Sequence, residues 1–138
     1  PVLDAVRLYK EHGIWIEITT LIIPGHNDSD DELRGIAKFI KSVGEETPWH
    51  VTRFHPTYKL TDEPPTPLET LARARRIGLD AGLRYVYEGN IPGEGEDTFC
   101  WSCGQTIIER VGFRVEANNI QDGKCGFCGA VIDGVWQA

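Results

Sequence analysis

The chain has 138 residues, enough for one packed domain or for a smaller domain with an appendage. Its hydrophobic content of 41% and charged content of 25% are those of an ordinary folded protein. The net charge of −7 argues against polyanion binding, because a nucleic-acid binder carries a basic face and none stands out here. No apolar run approaches the roughly 20 residues that span a membrane, and no basic start leads into an apolar core as in a secretory signal. A cytoplasmic protein with neither nucleic acid nor membrane as partner is expected. There is no Met, even at position 1, and a helical pattern begins directly after Pro1. That start favours excision from a longer polypeptide.

Residues 2–12 place Leu3, Val6 and Tyr9 on one helical face, with Gly13 where a C-terminal cap belongs. The β-branched and aromatic run 14–23 reads as a buried strand, stopped by Pro24-Gly25. Ser29 and Glu32 then form a capping box, and Leu33, Ile36, Ala37, Ile40 and Val43 continue at helical spacing up to Gly44. Residues 49–55 form the next strand candidate. After a Pro-rich loop, Thr66 and Glu69 read as a second capping box with Pro67 at the first helical position. That helix should end near Gly82, before a third strand over 83–89. Strands alternating with helices predict an α/β fold with a parallel sheet and right-handed crossovers. A unit that begins with its helix lacks the strand that should precede it. From about Ile91 the helical periodicity disappears. An acidic linker leads to a hairpin, "TIIER" and "FRVEA" joined across Val111-Gly112, and then to a last strand, "AVIDGVW". The expected division is 1–90, an α/β unit, and 91–138, a linker with a small β-rich ribbon.

Cys100, Cys103, Cys125 and Cys128 bracket this hairpin with the spacing C-x2-C-x21-C-x2-C. A disulfide framework does not suit a cytoplasmic protein, and a redox C-x-x-C opens a helix in a thioredoxin-like unit rather than flanking a hairpin. Two thiolates at i and i+3 meet one cation if the chain turns tightly between them, and Gly104 and Gly129 offer permissive backbone after each pair. Four thiolates suit Zn²⁺ in a closed, structural ribbon without catalysis; a rubredoxin-like iron centre is the competing reading. Apolar residues near the cysteines are few, so metal binding should supply much of the folding energy. From Glu94 onward there are seven acidic and three basic residues, which disfavours a nucleic-acid-binding ribbon.

The strands carry unexpected polar residues. Glu17 and Thr19 share one face of the first, which is unusual for a parallel strand buried on both sides. Val51, Arg53 and His55 share one face of the second. If the Glu17 and Arg53 faces point the same way, they form a polar cavity with His55 at its C-terminal mouth, where parallel barrels bind ligands. A buried structural Glu17–Arg53 ion pair is the equal alternative. Asn27 and Asp28 shape a turn before they contact a ligand. His12 and His50 show no comparable pattern, and Tyr85 and Tyr87 read as packing.

Taken together, "WIEITTLIIPGHND", "WHVTRFHP", "YVYEGN" and the pair "CWSCG"/"CGFCG" resemble the C-terminal half of a radical S-adenosylmethionine (SAM) enzyme. The group it is most similar to is the AmmeMemoRadiSam system enzymes, relatives of pyruvate formate-lyase activating enzymes. The resemblance implies a partial (β/α) radical SAM-type barrel holding a [4Fe–4S] cluster and SAM. Reductive cleavage of SAM then yields a 5′-deoxyadenosyl radical that takes hydrogen from a substrate, which in the activating enzymes is a partner protein. His55 matches a position that approaches SAM. Thr19 falls where those enzymes often carry an SAM-contacting arginine, and Arg53 is a substitute for it; Glu17 and Asn27 complete the expected cofactor-binding set. The cluster motif C-x3-C-x2-C and the glycine-rich SAM segment occur nowhere in the chain. The stretch alone is therefore expected to be inactive, its first partner being a missing N-terminal half that holds the cluster. The competing expectation is a non-enzymatic α/β plus zinc-ribbon module that contacts protein. A third, an aldolase-like barrel enzyme, is disfavoured because no strand candidate offers a lysine.

Overall fold

A computed structural model describes residues 1–56, 64–89, 94–111 and 114–136. Most of the Pro-rich loop, the first residues of the expected linker and the Gly112 turn lie outside the described residues. The first helix, α1, spans Val2–Glu11 and buries none of its residues. Leu3 and Tyr9, the expected apolar face, are about half exposed. What ties α1 to the molecule is polar: Lys10 Nζ donates to Glu46 Oε1 at 2.8 Å, and Arg7 lies over the Phe39 ring.

The α/β unit follows as β1 (Ile18–Ile22), α2 (Asp30–Val43), β2 (Trp49–Arg53), α3 (Leu68–Asp80) and β3 (Val86–Gly89). The three strands are parallel and adjacent in chain order, β1-β2-β3. The first strand is half as long as its apolar run, because its ladder with β2 begins only at Ile18 opposite Trp49. Residues 14–17 have β-branched and aromatic character but no strand beside them to complete a ladder. One sheet face carries Ile22, Trp49, Val51 and Val86, and these pack with Leu33, Ala37, Ile40, Leu71 and Ala74 of α2 and α3 into the main core. At roughly 25 cal/mol per Å² of apolar surface, each such side chain contributes about 1.5–3 kcal/mol to folding.

The expected cap of α2 is present: Glu32 N–H donates to Ser29 Oγ, and Ser29 Oγ donates back to the Glu32 carboxylate. The second capping box is a correction. Pro67 stands at the N-cap of α3 with no side-chain cap bond, and Thr66 is fully buried. Its hydroxyl donates to Ile22 O and accepts from Phe54 N–H, linking the ends of β1 and β2. Burial of those two backbone groups creates the stronger demand for a partner, and the hydroxyl goes there.

The β-rich part has β4 (Thr98–Phe99), β5 (Thr106–Val111) and β6 (Arg114–Asn118) in one antiparallel sheet. A second hairpin pairs β7 (Ile120–Gln121) with β8 (Lys124–Cys125). Within the expected linker, Glu94–Glu96 form a 3-10 turn and Thr98–Phe99 form β4. The expected last strand is reduced to a single bridge, Lys124 to Val131. Beyond it the chain turns back, and Trp136 Nε1 donates to Ile132 O at 2.7 Å.

The two parts share a core. Tyr85, just before β3, packs with Cys100, Ile107, Cys125 and Ile132, so the cysteines are less poor in apolar neighbours than expected. A polar clamp surrounds this contact. Arg84 donates to Asp133 Oδ2 at 2.7 Å, Tyr85 Oη donates to the same oxygen, and Asp133 N–H donates to Tyr85 Oη. The Arg84 guanidinium also lies 3.9 Å from the Trp101 ring centroid, and Trp101 sits inside the first cysteine pair. No helix among the described residues is long and apolar enough to cross a membrane.

Candidate metal centre and the polar face of the sheet

Each cysteine pair sits in the same small turn. Gly104 N–H donates to Cys100 O, and Gly129 N–H donates to Cys125 O, both at 2.9 Å. The two glycines have φ of +77° and +79°, a left-handed conformation that costs a side chain about 1–2 kcal/mol. The turns aim backbone amides at sulfur: Ser102 and Cys103 N–H at Cys100 Sγ, and Phe127 N–H at Cys125 Sγ. Because the turns repeat, four sulfurs converge, all within 4.8 Å of one another. Cys100 and Cys128 are 3.6 Å apart, and Cys103 and Cys125 are 3.8 Å apart, far beyond the ~2.05 Å of a disulfide. The four cysteines could hold a metal ion, as their spacing suggests.

The thiols feel one another. Burial pushes Cys125 up, but hydrogen bonds from the Cys128 and Phe127 amides outweigh it and bring the pKa to about 7. At Cys103 a backbone hydrogen bond at Gln105 lowers the pKa, yet desolvation and the neighbouring sulfurs push it to about 11. Four such groups so close cannot all ionise unless a cation balances them.

The polar residues of the sheet divide differently from the expected cavity. Strand register puts Ile22 beside Arg53 and Thr19 beside His50. Arg53 therefore lies on the helix-covered face, where its Nε donates to Thr66 O at 2.9 Å. Glu17 lies across the sheet at the other end of the strands, and its Oε1 meets His50 Nε2 at 2.7 Å. Neither a joint Glu17–Arg53 cavity nor an ion pair between them forms. The His50 hydrogen bond holds the Glu17 carboxyl below its ordinary value against the opposing effect of partial burial. Thr19 is exposed on the Glu17 side of β1, and His55 is exposed just beyond β2. Asn27 completes the turn after β1, accepting from Ile23 N–H at 2.7 Å and donating to Leu21 O at 2.9 Å.

His50 is the residue that strand-by-strand reading missed. Its ring stacks on Tyr87 at 4.9 Å, and Arg110 lies 5.6 Å from the Tyr87 centroid. The parity of Glu17 and His50 within their strands could have suggested a shared face, but only the register between strands brings them together.

No protein-family model matches the chain. Over 137 residues it is 50% identical to an uncharacterized protein of Methanocaldococcus jannaschii. That stretch covers 96% of this chain and 41% of the relative, so the chain spans less than half the relative's length.

Proposed function

We propose that this chain is the C-terminal part of a radical SAM enzyme of the AmmeMemoRadiSam type, and that its four cysteines hold a structural zinc ion. The motif string "WIEITTLIIPGHND", "WHVTRFHP", "YVYEGN" and the two cysteine pairs carries the reading, and the winding of the sheet is compatible with it. Three parallel strands adjacent in chain order, with α2 and α3 on one face, are compatible with an arc of a (β/α) barrel, as they are with one half of a doubly wound sheet. In such an arc the uncovered face points inward and ligands lie at the strand C-termini. His55 is the residue left to meet SAM there, since Glu17, Arg53 and Asn27 have the partners described above and Thr19 lies beside His50 near the opposite end of the strands. The cysteines here form a closed quartet, so the [4Fe–4S] cluster falls to the rest of the polypeptide. When bound, cluster and SAM supply the radical. This stretch supplies part of the wall that positions SAM and excludes water, and a partner protein is the substrate class the reading implies.

For zinc, sulfurs at the corners of a tetrahedron with bonds of ~2.3 Å stand ~3.8 Å apart, which fits the observed separations. Four protein ligands leave no open position, so the ion fastens the two turns and does no catalysis. Elemental analysis should find one zinc per chain in colourless protein; iron with visible absorption would refute zinc.

The enzymatic reading is tested on the longer polypeptide that carries this stretch. Reconstituted with iron and sulfide and given SAM and dithionite, it should release 5′-deoxyadenosine, whereas the 138-residue chain should release none. An intact cluster spectrum without deoxyadenosine would sink the proposal. A non-enzymatic protein-contacting module is favoured by one observation, the exposed apolar side chains Phe127, Val131 and Val135 on the ribbon; the same assay decides between the two.

A further inference from the structure

The four cysteines are not equivalent. Cys100 and Cys125 are buried, whereas Cys103 and Cys128 are exposed. The turns aim amides at both buried sulfurs, from Ser102 and Cys103 in one turn and from Phe127 in the other. Each exposed cysteine stands against the buried cysteine of the other pair. Cys128 Sγ is 3.6 Å from Cys100 Sγ, and Cys103 Sγ is 3.8 Å from Cys125 Sγ. An exposed thiolate beside a shielded second sulfur lets an oxidant enter at one atom and a disulfide form with the next. Closing either contact to the ~2.05 Å of a disulfide asks each sulfur to move by less than about 1 Å.

We infer that the cysteine centre is a peroxide-responsive site, attacked at Cys103 and Cys128 and closing as the crossed disulfides Cys100–Cys128 and Cys103–Cys125. Resting on the zinc reading, this chemistry starts from four sulfurs that the cation keeps as thiolates. The Cys128 thiolate attacks one peroxide oxygen, the O–O bond breaks, and the released hydroxide takes a proton to become water. The Cys100 thiolate then attacks the Cys128 sulfenic acid, the S–O bond breaks, and the second hydroxide leaves as water in the same way. Each disulfide passes two electrons to one peroxide, consumes two protons and removes two zinc ligands. Once Cys103 and Cys125 repeat the step, no thiolate remains and the zinc is released. Both bonds tie one turn to the other, so the turns stay joined without the metal. Disulfides within each C-x-x-C pair would leave them apart.

The test uses the 138-residue chain as purified and hydrogen peroxide. Metal analysis before oxidation checks the zinc reading by itself: a chain that holds iron, or no metal, overturns both proposals. In the zinc-loaded chain, dimedone present during the reaction should label Cys103 and Cys128 in preference to Cys100 and Cys125. Without dimedone, peptide mapping should find the two crossed disulfides and all zinc released, and dithiothreitol with added zinc should restore the starting state. The Trp101 indole N–H donates to Val131 O at 2.8 Å and so reports on the two turns together. In proton–nitrogen NMR its signal should stay away from the free-indole position in the oxidised chain, whereas chelation of the reduced chain should send it there. Disulfides within the pairs, dimedone that does not favour the exposed cysteines, or zinc retained in millimolar peroxide would overturn the inference and leave the zinc reading standing. So would a free-indole Trp101 signal in the oxidised chain.

Discussion

Thr66 shows how one hydroxyl can hold two strand ends. Thr66→Val keeps the shape but strands Ile22 O and Phe54 N–H without a partner in a dry site. The expected loss is about 2–3 kcal/mol, read as a lower urea midpoint with an unchanged slope. Glu17 makes a pH-dependent contribution. Its carboxyl is held below its ordinary value in the folded chain. The stabilisation is therefore complete above the unfolded value of roughly 4.3, and it is lost as pH falls through the lower folded value. Melting temperatures measured from neutral to acid pH should show this loss, and Glu17→Gln should flatten that part of the acid limb. A Glu17→Gln protein with the same acid limb as the parent would remove the pair from the account.

At the scale of elements, α3 lies so close to the sheet that a Cβ on Gly78 would stand 2.9 Å from Trp49 Cε3 and from Val86 Cγ2. Gly78→Ala gains about 1 kcal/mol of helix propensity but forces a clash in a packed core, which costs about 1–3 kcal/mol. Overpacking should win, and thermal unfolding should begin earlier in the variant. The helix–strand rhythm was legible in the sequence because it is local: apolar spacing, a Ser29 cap and stop residues each act over a few positions. The cysteine spacing was legible for the same reason, since each pair encodes its own turn. What was hidden is long-range. The register that joins Glu17 to His50 depends on residues 33 positions apart, and the Arg84–Asp133 clamp spans 49. Thr66 carried a correct local signal that burial redirected. Residues 14–17 carried strand propensity but lacked a neighbour.

For the molecule as a whole, the four-cysteine cluster and the sheet are mechanically joined. Trp101 and Asp133, which grip Arg84 and Tyr85, lie inside the first cysteine pair and five residues past the last cysteine. Structural zinc in small peptides contributes about 10–16 kcal/mol of binding energy, more than the small second cluster can replace. Chelation should therefore release the ribbon while α2 and α3 persist, seen as loss of the Trp101 environment with helical circular dichroism retained. Arg84→Ala should loosen the same contact without touching the cysteines, so the metal content of the variant should equal that of the parent while the Trp101 signal changes. Simultaneous loss of helix and ribbon on chelation would show a single cooperative unit instead.

The turn after β1 has a consequence for what can be added to the sheet. Ile18 N–H turns toward β2, where Pro48 O accepts it, so by strand alternation Leu21 O and Ile23 N–H turn outward. The Asn27 carboxamide meets both, standing where one residue of a further parallel strand would sit. A new strand can then zip onto β1 only along its first half and must splay away near Leu21. The side chain thus acts as a stopper on an exposed template. Removing it by Asn27→Ala should lengthen the sticky edge and raise self-association, detectable by light scattering as protein concentration increases.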